Sequence, residues 1–248
     1  MGVDHIFIFE DVDSDTHMPI TEKYSDITLM NVKDVVPGIM RREYNHGPIQ
    51  QVYIHKAFEW VKENYGYEWI FLLDTDEFIT STIPLVDILP KYSDYECLLL
   101  QWENYGANGI DMMPSYKSKG VVDTYTTPIG FPTERLDVMT KPCFNMRRMP
   151  IDHISGQHSP SIYDKWCFTD FSKNYRDDVD KNFYIRHYIT KSWEEWIVKM
   201  EVRGMFNKGH RIIDDFFAMN PDMLPRRAEL ISLIPEIVRK HTKEKETV

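Results

Sequence analysis

The sequence predicts an α/β fold: a mixed, mainly parallel sheet flanked by helices, in a single domain spanning residues 1–248. Short apolar runs alternate with a helical stretch, and clusters of acids fall directly after the runs. Runs of this kind are too short to cross a membrane and too unbroken for a surface helix, which leaves buried strands. At 42% hydrophobic and 13% aromatic, the chain can bury a substantial core.

His5 to Phe9 reads as the first strand, ending in the acidic turn Glu10-Asp11-Val12-Asp13-Ser14-Asp15. Ile27 to Met30 is a second short strand, and Pro37 to Arg42 is a connector ending in the pair Arg41-Arg42. A helix follows, with Pro48 in its first turn and Ile49, Val52, Tyr53, Ala57, Trp60 and Val61 at helical spacing until Asn64 and Gly66. Trp69 to Leu73 is then expected as a buried parallel strand, closing a right-handed βαβ unit. Ligands of such sheets bind beyond the carboxyl ends of the strands, where both acidic clusters lie.

Ile83 to Leu89 suggests a short helix, and Cys97 to Trp102 a further buried strand. The latter runs into Glu103-Asn104-Tyr105-Gly106-Ala107-Asn108-Gly109, whose glycines and asparagines permit positive φ. That loop suits a sugar-binding or lid segment, with an ordinary turn as the plainer reading. Residues 110–140 are polar and irregular, a helix fragment with loop. Lys141 to Arg148 and Ile151 to Ile154 read as strands or edge segments, the first a basic strand whose Lys141, Arg147 and Arg148 either line a diphosphate or, as the favoured reading, lie in solvent. Asn182 to Tyr188 is a strand delivering His187, with Lys191 four residues on. The next helix buries Trp193, Trp196, Ile197 and Met200 and turns Glu194, Glu195 and Lys199 to water. Leu224 to Lys240 is a last helix, and the charged tail to Val248 is expected to fray.

With 29 Lys plus Arg against 39 Asp plus Glu, the formal net charge of -10 repels polyanions and argues against a nucleic-acid partner. Cys97, Cys143 and Cys167 lack metal-ligand spacing and read as reduced core residues. No apolar stretch approaches the ~20 residues of a membrane span. The expected location is cytoplasmic, with a luminal catalytic domain trimmed of its anchor as the alternative.

Asp74, Asp76 and Glu77 crowd three carboxylates into four positions after a core strand. Neighbouring carboxylates resist desolvation together, so a counter-ion is expected, and hard oxygen ligands suit Mg²⁺ or Mn²⁺ bridging to phosphates. A solvated turn is the plainer alternative. His187 and Lys191 offer a second metal ligand and a cation for a departing diphosphate.

Four elements together resemble glycosyltransferase family 92 and its family 2-like relatives: Gly2 to Phe9 with its acidic turn, Phe71 to Phe78, Trp102 with Tyr105 to Gly109, and His187-Tyr188 with Lys191 to Glu195. The resemblance implies a GT-A (Rossmann-like) fold, a nucleotide-sugar donor, usually uridine diphosphate-linked, and Mn²⁺ or Mg²⁺. It implies that Asp74, Asp76 and His187 form the metal and diphosphate site, with Glu10 or Asp11 near the base or ribose. Members carry a strand and helix ahead of the segment matching Gly2 to His5, so either a reduced fold or an incomplete chain is expected.

The expected reaction is metal-dependent sugar transfer to a glycan or other hydroxyl acceptor, with inversion. The donor side comprises Glu10, Asp11, Arg42, Asp74, Thr75, Asp76 and Lys191, and Trp102, Asn104, Gly106 and Asn108 face sugar or acceptor. Glu103, Asp152 and His158 are alternative candidates for the base. Two other readings compete: a haloacid-dehalogenase-like phosphatase using the Asp-x-Asp pair, and a non-catalytic nucleotide-sugar-binding subunit.

Overall fold

A computed structural model describes residues 2–10, 23–35, 47–116, 119–129, 140–150, 154, 166–168, 183–202 and 212–246. It is an α/β protein with strands β1 (Ile6–Glu10), β2 (Ile27–Asn31), β3 (Trp69–Phe71), β4 (Glu77–Ser81), β5 (Cys97–Asn104), β6 (Thr140–Asn145), β7 (Trp166–Phe168) and β8 (Phe183–His187). The chain divides into two compact units. The first comprises Met1–Asp74, Ile79–Gln101 and Met139–Tyr184, and the second Thr75–Phe78, Trp102–Val138 and Ile185–Val248, so β4, β5 and β8 contribute residues to both.

In the first unit, β1 and β2 form their own two-stranded parallel ladder, with Ile6 opposite Ile27. The helix Gly47–Tyr65 follows, and Gly66 at φ 65° ends it in the left-handed conformation that a side chain disfavours. Its buried face carries Ile54, Ala57, Phe58 and Val61. Phe58 meets Phe144 of β6 edge-on at 5.1 Å between ring centroids, in a cluster with Cys97, Leu99 and Met146.

The strand at Trp69 departs from expectation. It pairs antiparallel with β6, Trp69 opposite Asn145, and Trp69 to Leu73 are half-buried. Among the described residues β3 pairs with β6 while β1 and β2 form a separate parallel ladder, so the parallel pairing expected of a βαβ unit is not seen among them. A five-residue apolar run cannot by itself distinguish a strand covered on both faces from one at the end of a ladder. β5 pairs antiparallel with β6 and parallel with β7, so the sheet is mixed. Cys97 and Cys143 are buried free thiols, as expected; Cys167 lies in β7.

In the second unit, the last residues of β5 pair in parallel with β8: Trp102 with Ile185, Glu103 with Arg186 and Asn104 with His187. The helix Trp193–Ile197 starts on a capping box in which Ser192 and Glu195 bond reciprocally. Trp193, Trp196 and Ile197 are buried beside Phe216, Phe217 and Leu230, and Trp193 Nε1 donates to Leu230 O at 2.9 Å. A π-helical turn, Val198–Val202, follows directly.

Glu194 does not face water. Its side chain is 1% exposed, and it accepts from Lys240 Nζ at 2.8 Å and Met113 N at 2.7 Å and bonds His241 Nε2 at 2.9 Å. Lys240 and His241 are thereby pinned, and the final helix Ile234–Glu246 runs on past the position where fraying was expected. Among the described residues, no helix is long and apolar enough to cross a membrane.

Candidate functional site

Asp76 and His187 come together because the main chain makes them neighbours: Tyr188 N donates to Asp76 O at 2.9 Å. The side chains follow, with His187 Nε2 4.0 Å from Asp76 Oδ1. On its other side the imidazole bonds Asn104 Oδ1 through Nδ1 at 2.9 Å. An amide oxygen only accepts, so Nδ1 carries a hydrogen, and Nε2 faces the carboxylate, with a proton when the ring is charged and a lone pair when it is neutral. Trp102 packs its ring 4.0 Å from that of His187 and limits its rotation.

Asp76 also receives a cation that sequence reasoning sent to solvent. Lys199 Nζ lies 3.3 Å from Asp76 Oδ2. Burial pushes the Asp76 carboxyl up, but the charges of Lys199, His187 and Lys191 outweigh it and hold it below its ordinary value. Asp76 is therefore ionised at neutral pH. Lys199 sits in the π-helical turn, so its direction departs from the one that regular α-helical spacing assigns.

A cavity of about 250 Å³ opens beside these groups, with Thr75, Asp76, Thr190, Lys191, Glu195 and Lys199 in its wall. Lys191 holds φ 52°, a left-handed conformation costly for a side-chain-bearing residue. Next to it, Thr190 is 2% exposed, and its buried hydroxyl has no hydrogen-bond partner among the described residues. On the other flank Ser192 is fixed by Glu195 Oε2, which also accepts from Tyr116 at 2.9 Å and Tyr125 at 2.8 Å. Burial pushes both phenols up, so they remain donors. The unfavourable backbone of Lys191 is thus held between a saturated cap and a buried strand end.

Asp74 belongs to the first unit, where the buried Lys141 donates to its Oδ2 at 2.8 Å. Lys141 was expected in solvent and is 1% exposed, since its neighbours in β6 are all buried. Arg147 and Arg148 do lie at the surface, paired with Glu68 and Asp94. Among the described residues, no group of three or more His, Cys, Asp and Glu side chains converges as a metal cage.

The loop residues have local employment. Asn104 orients His187, and a Cβ at Gly106 would lie 2.8 Å from Asn220 Oδ1. Asn108, at φ 54°, donates to Thr126 Oγ1 at 3.3 Å and accepts from Thr127 N at 3.3 Å. Glu103 accepts from Tyr105 Oη at 2.6 Å. Strand alternation turns Glu103 to the face opposite Asn104 and His187. Glu10 closes β1 opposite Asn31. Asp11, Arg42, Asp152 and His158 lie outside the described residues.

Sequence reasoning missed Lys199, Thr190 and the role of Glu195. The Ser192-x-x-Glu195 spacing is a readable capping signal; nothing local marks the other two. No family model matches the chain, and no curated protein is similar enough to be counted a relative.

Proposed function

We propose that this chain is a metal-dependent glycosyltransferase of GT-A type, moving a sugar from a nucleotide-sugar, a uridine diphosphate-linked donor, to a hydroxyl of a glycan or other acceptor. The observation that carries the reading is the Asp76–His187 pair, an ionised carboxylate beside an imidazole nitrogen whose tautomer Asn104 sets. Such a nitrogen and oxygen donor pair fits Mn²⁺ better than Mg²⁺, which prefers oxygen alone. Asp76 and His187 would hold the ion. A bound ion there would neutralise diphosphate oxygens. In support, β5 pairs in parallel with β7 and β8 within the larger sheet, while β6 runs against β5.

The chain's own groups supply the rest. The acceptor oxygen bonds to the anomeric carbon as the bond to the diphosphate breaks, and Lys191 and Lys199 balance the charge that gathers on the leaving group. Thr75, beside Asp76 in the cavity wall, offers a hydroxyl to the donor. The acceptor proton passes to a carboxylate or imidazole, with Asp152 and His158 as candidates.

The test is calorimetric titration of uridine diphosphate with and without Mn²⁺. Asp76→Ala should abolish the metal-dependent part while the protein stays folded. Undiminished metal-dependent binding in that variant would overturn the assignment, and turnover of p-nitrophenyl phosphate without any nucleotide sugar would favour a phosphatase instead.

A further inference from the structure

We propose that Lys199 is an exchangeable counter-ion: it neutralises Asp76 while no divalent cation is bound, and when a cation takes the carboxylate its ammonium turns into the adjoining cavity to receive a phosphoryl group. The inference rests on the reading of Asp76 as a cation ligand and adds a coupling between the two ligands.

The geometry favours exchange. Asp76 is 16% exposed and needs a positive companion, and the imidazole nitrogen facing it presents a lone pair when neutral. Lys199 fills that need loosely. Its 3.3 Å separation from Asp76 exceeds the roughly 2.7–2.9 Å of a tight charge-assisted bond. The other acid of the motif is held differently, since Asp74 is bonded at 2.8 Å by the buried Lys141. Lys199, by contrast, is 24% exposed and borders the cavity, so it has somewhere to go.

What surrounds the released ammonium decides its new partner. Glu195 is the other carboxylate of the cavity wall, and Tyr116, Tyr125 and Ser192 already donate to it. His241 in the same wall is bonded to Glu194. The helix start offers little to an anion, because Trp193 N and Glu194 N donate to Ile110 O and Asp111 O. Among the described residues of the cavity wall, Lys191 and Lys199 carry the ammonium groups that can meet an oxyanion, and in this exchange Lys199 does so on leaving Asp76. Cation and phosphoryl group then bind with positive coupling, each favouring the same position of one lysine.

The probes are Mn²⁺ alone and inorganic pyrophosphate alone in the presence of chelator, both followed by calorimetry. Removing the competing charge in Lys199→Met should tighten Mn²⁺ binding by about tenfold and weaken pyrophosphate by a similar factor. Asp76→Asn should lose Mn²⁺ but bind pyrophosphate several-fold more tightly than wild type. Adding Lys199→Met to Asp76→Asn should erase that gain. Lys199→Gln serves as the second neutral variant should the methionine impair folding. Unchanged or weaker Mn²⁺ binding in both neutral variants overturns the proposal, as does a pyrophosphate gain that survives in the double variant. If the lysine behaves as proposed but no nucleotide sugar binds or turns over, the transferase reading fails and the coupling stands.

Discussion

Asn104 and His187 face each other in register on parallel strands, and their side chains are joined by a 2.9 Å hydrogen bond. The pairing of β5 with β8 thus sets the direction of an imidazole as well as the ladder. It converts a strand-end histidine into a nitrogen aimed at Asp76.

Asn104→Leu removes the acceptor while keeping the volume. Outer-shell partners of this kind are typically worth about 10–100-fold in metal affinity, and Mn²⁺ binding should fall within that range. Asn104→Asp, which still accepts from Nδ1, should restore most of it. Calorimetry on the two variants, with far-ultraviolet dichroism as a folding check, makes the comparison.

Glu194 is a buried carboxylate with three neighbouring hydrogen-bonding groups, and Glu194→Ala should destabilise the protein by about 3 kcal/mol, because Lys240 and His241 lose their shared partner. Burial pushes this carboxyl up, but Lys240, His241 and Met113 N outweigh it and hold it below its ordinary 4.5. The unfolded chain therefore takes up the proton first as pH falls. The stabilisation is complete above the ordinary value and is lost as pH drops through the depressed one. Urea midpoints should decline below about pH 5, and less steeply in Glu194→Gln than in wild type.

Thr190→Val tests the unpartnered hydroxyl. Replacing a buried, unbonded polar group by a methyl of the same shape should be neutral or stabilising, by up to about 1 kcal/mol. A rise in melting temperature without loss of Mn²⁺ binding is expected. A fall would show that the hydroxyl is satisfied in solution.

Gly106→Ala would bring a methyl to 2.8 Å from Asn220 Oδ1. That oxygen cannot yield freely, since it accepts from Ala107 N at 2.6 Å while the same amide donates to Phe216 O at 2.8 Å. A loss of about 1–3 kcal/mol is expected from thermal or urea unfolding. Mn²⁺ affinity should change little, which separates a packing role for Gly106 from one in the cation site.

The pieces of the candidate site are legible along the chain because they are local. An apolar run followed by Asp74-Thr75-Asp76 marks a strand end, alternation in Phe183 to His187 marks another, and Ser192 with Glu195 marks a helix start. The mixed direction of the sheet is not local, since the composition of Trp69 to Leu73 is compatible with either neighbour. Nor are the charge partners. Asp74 finds Lys141 67 residues away, and Asp76 finds Lys199 at a separation of 123.

Hydrophobic patterning and turn chemistry in the sequence alone therefore marked the turn that carries the acids after a strand and the histidine that ends another, although β3 stops at Phe71 and Glu77 already opens β4. Tertiary structure decided which charges are buried and what neutralises them. Helical periodicity sends Glu194 and Lys199 to water. The final helix covers the first, and a π turn lies where the second meets Asp76, because burial of a charge is decided by what packs over it and not by its own place in a repeat.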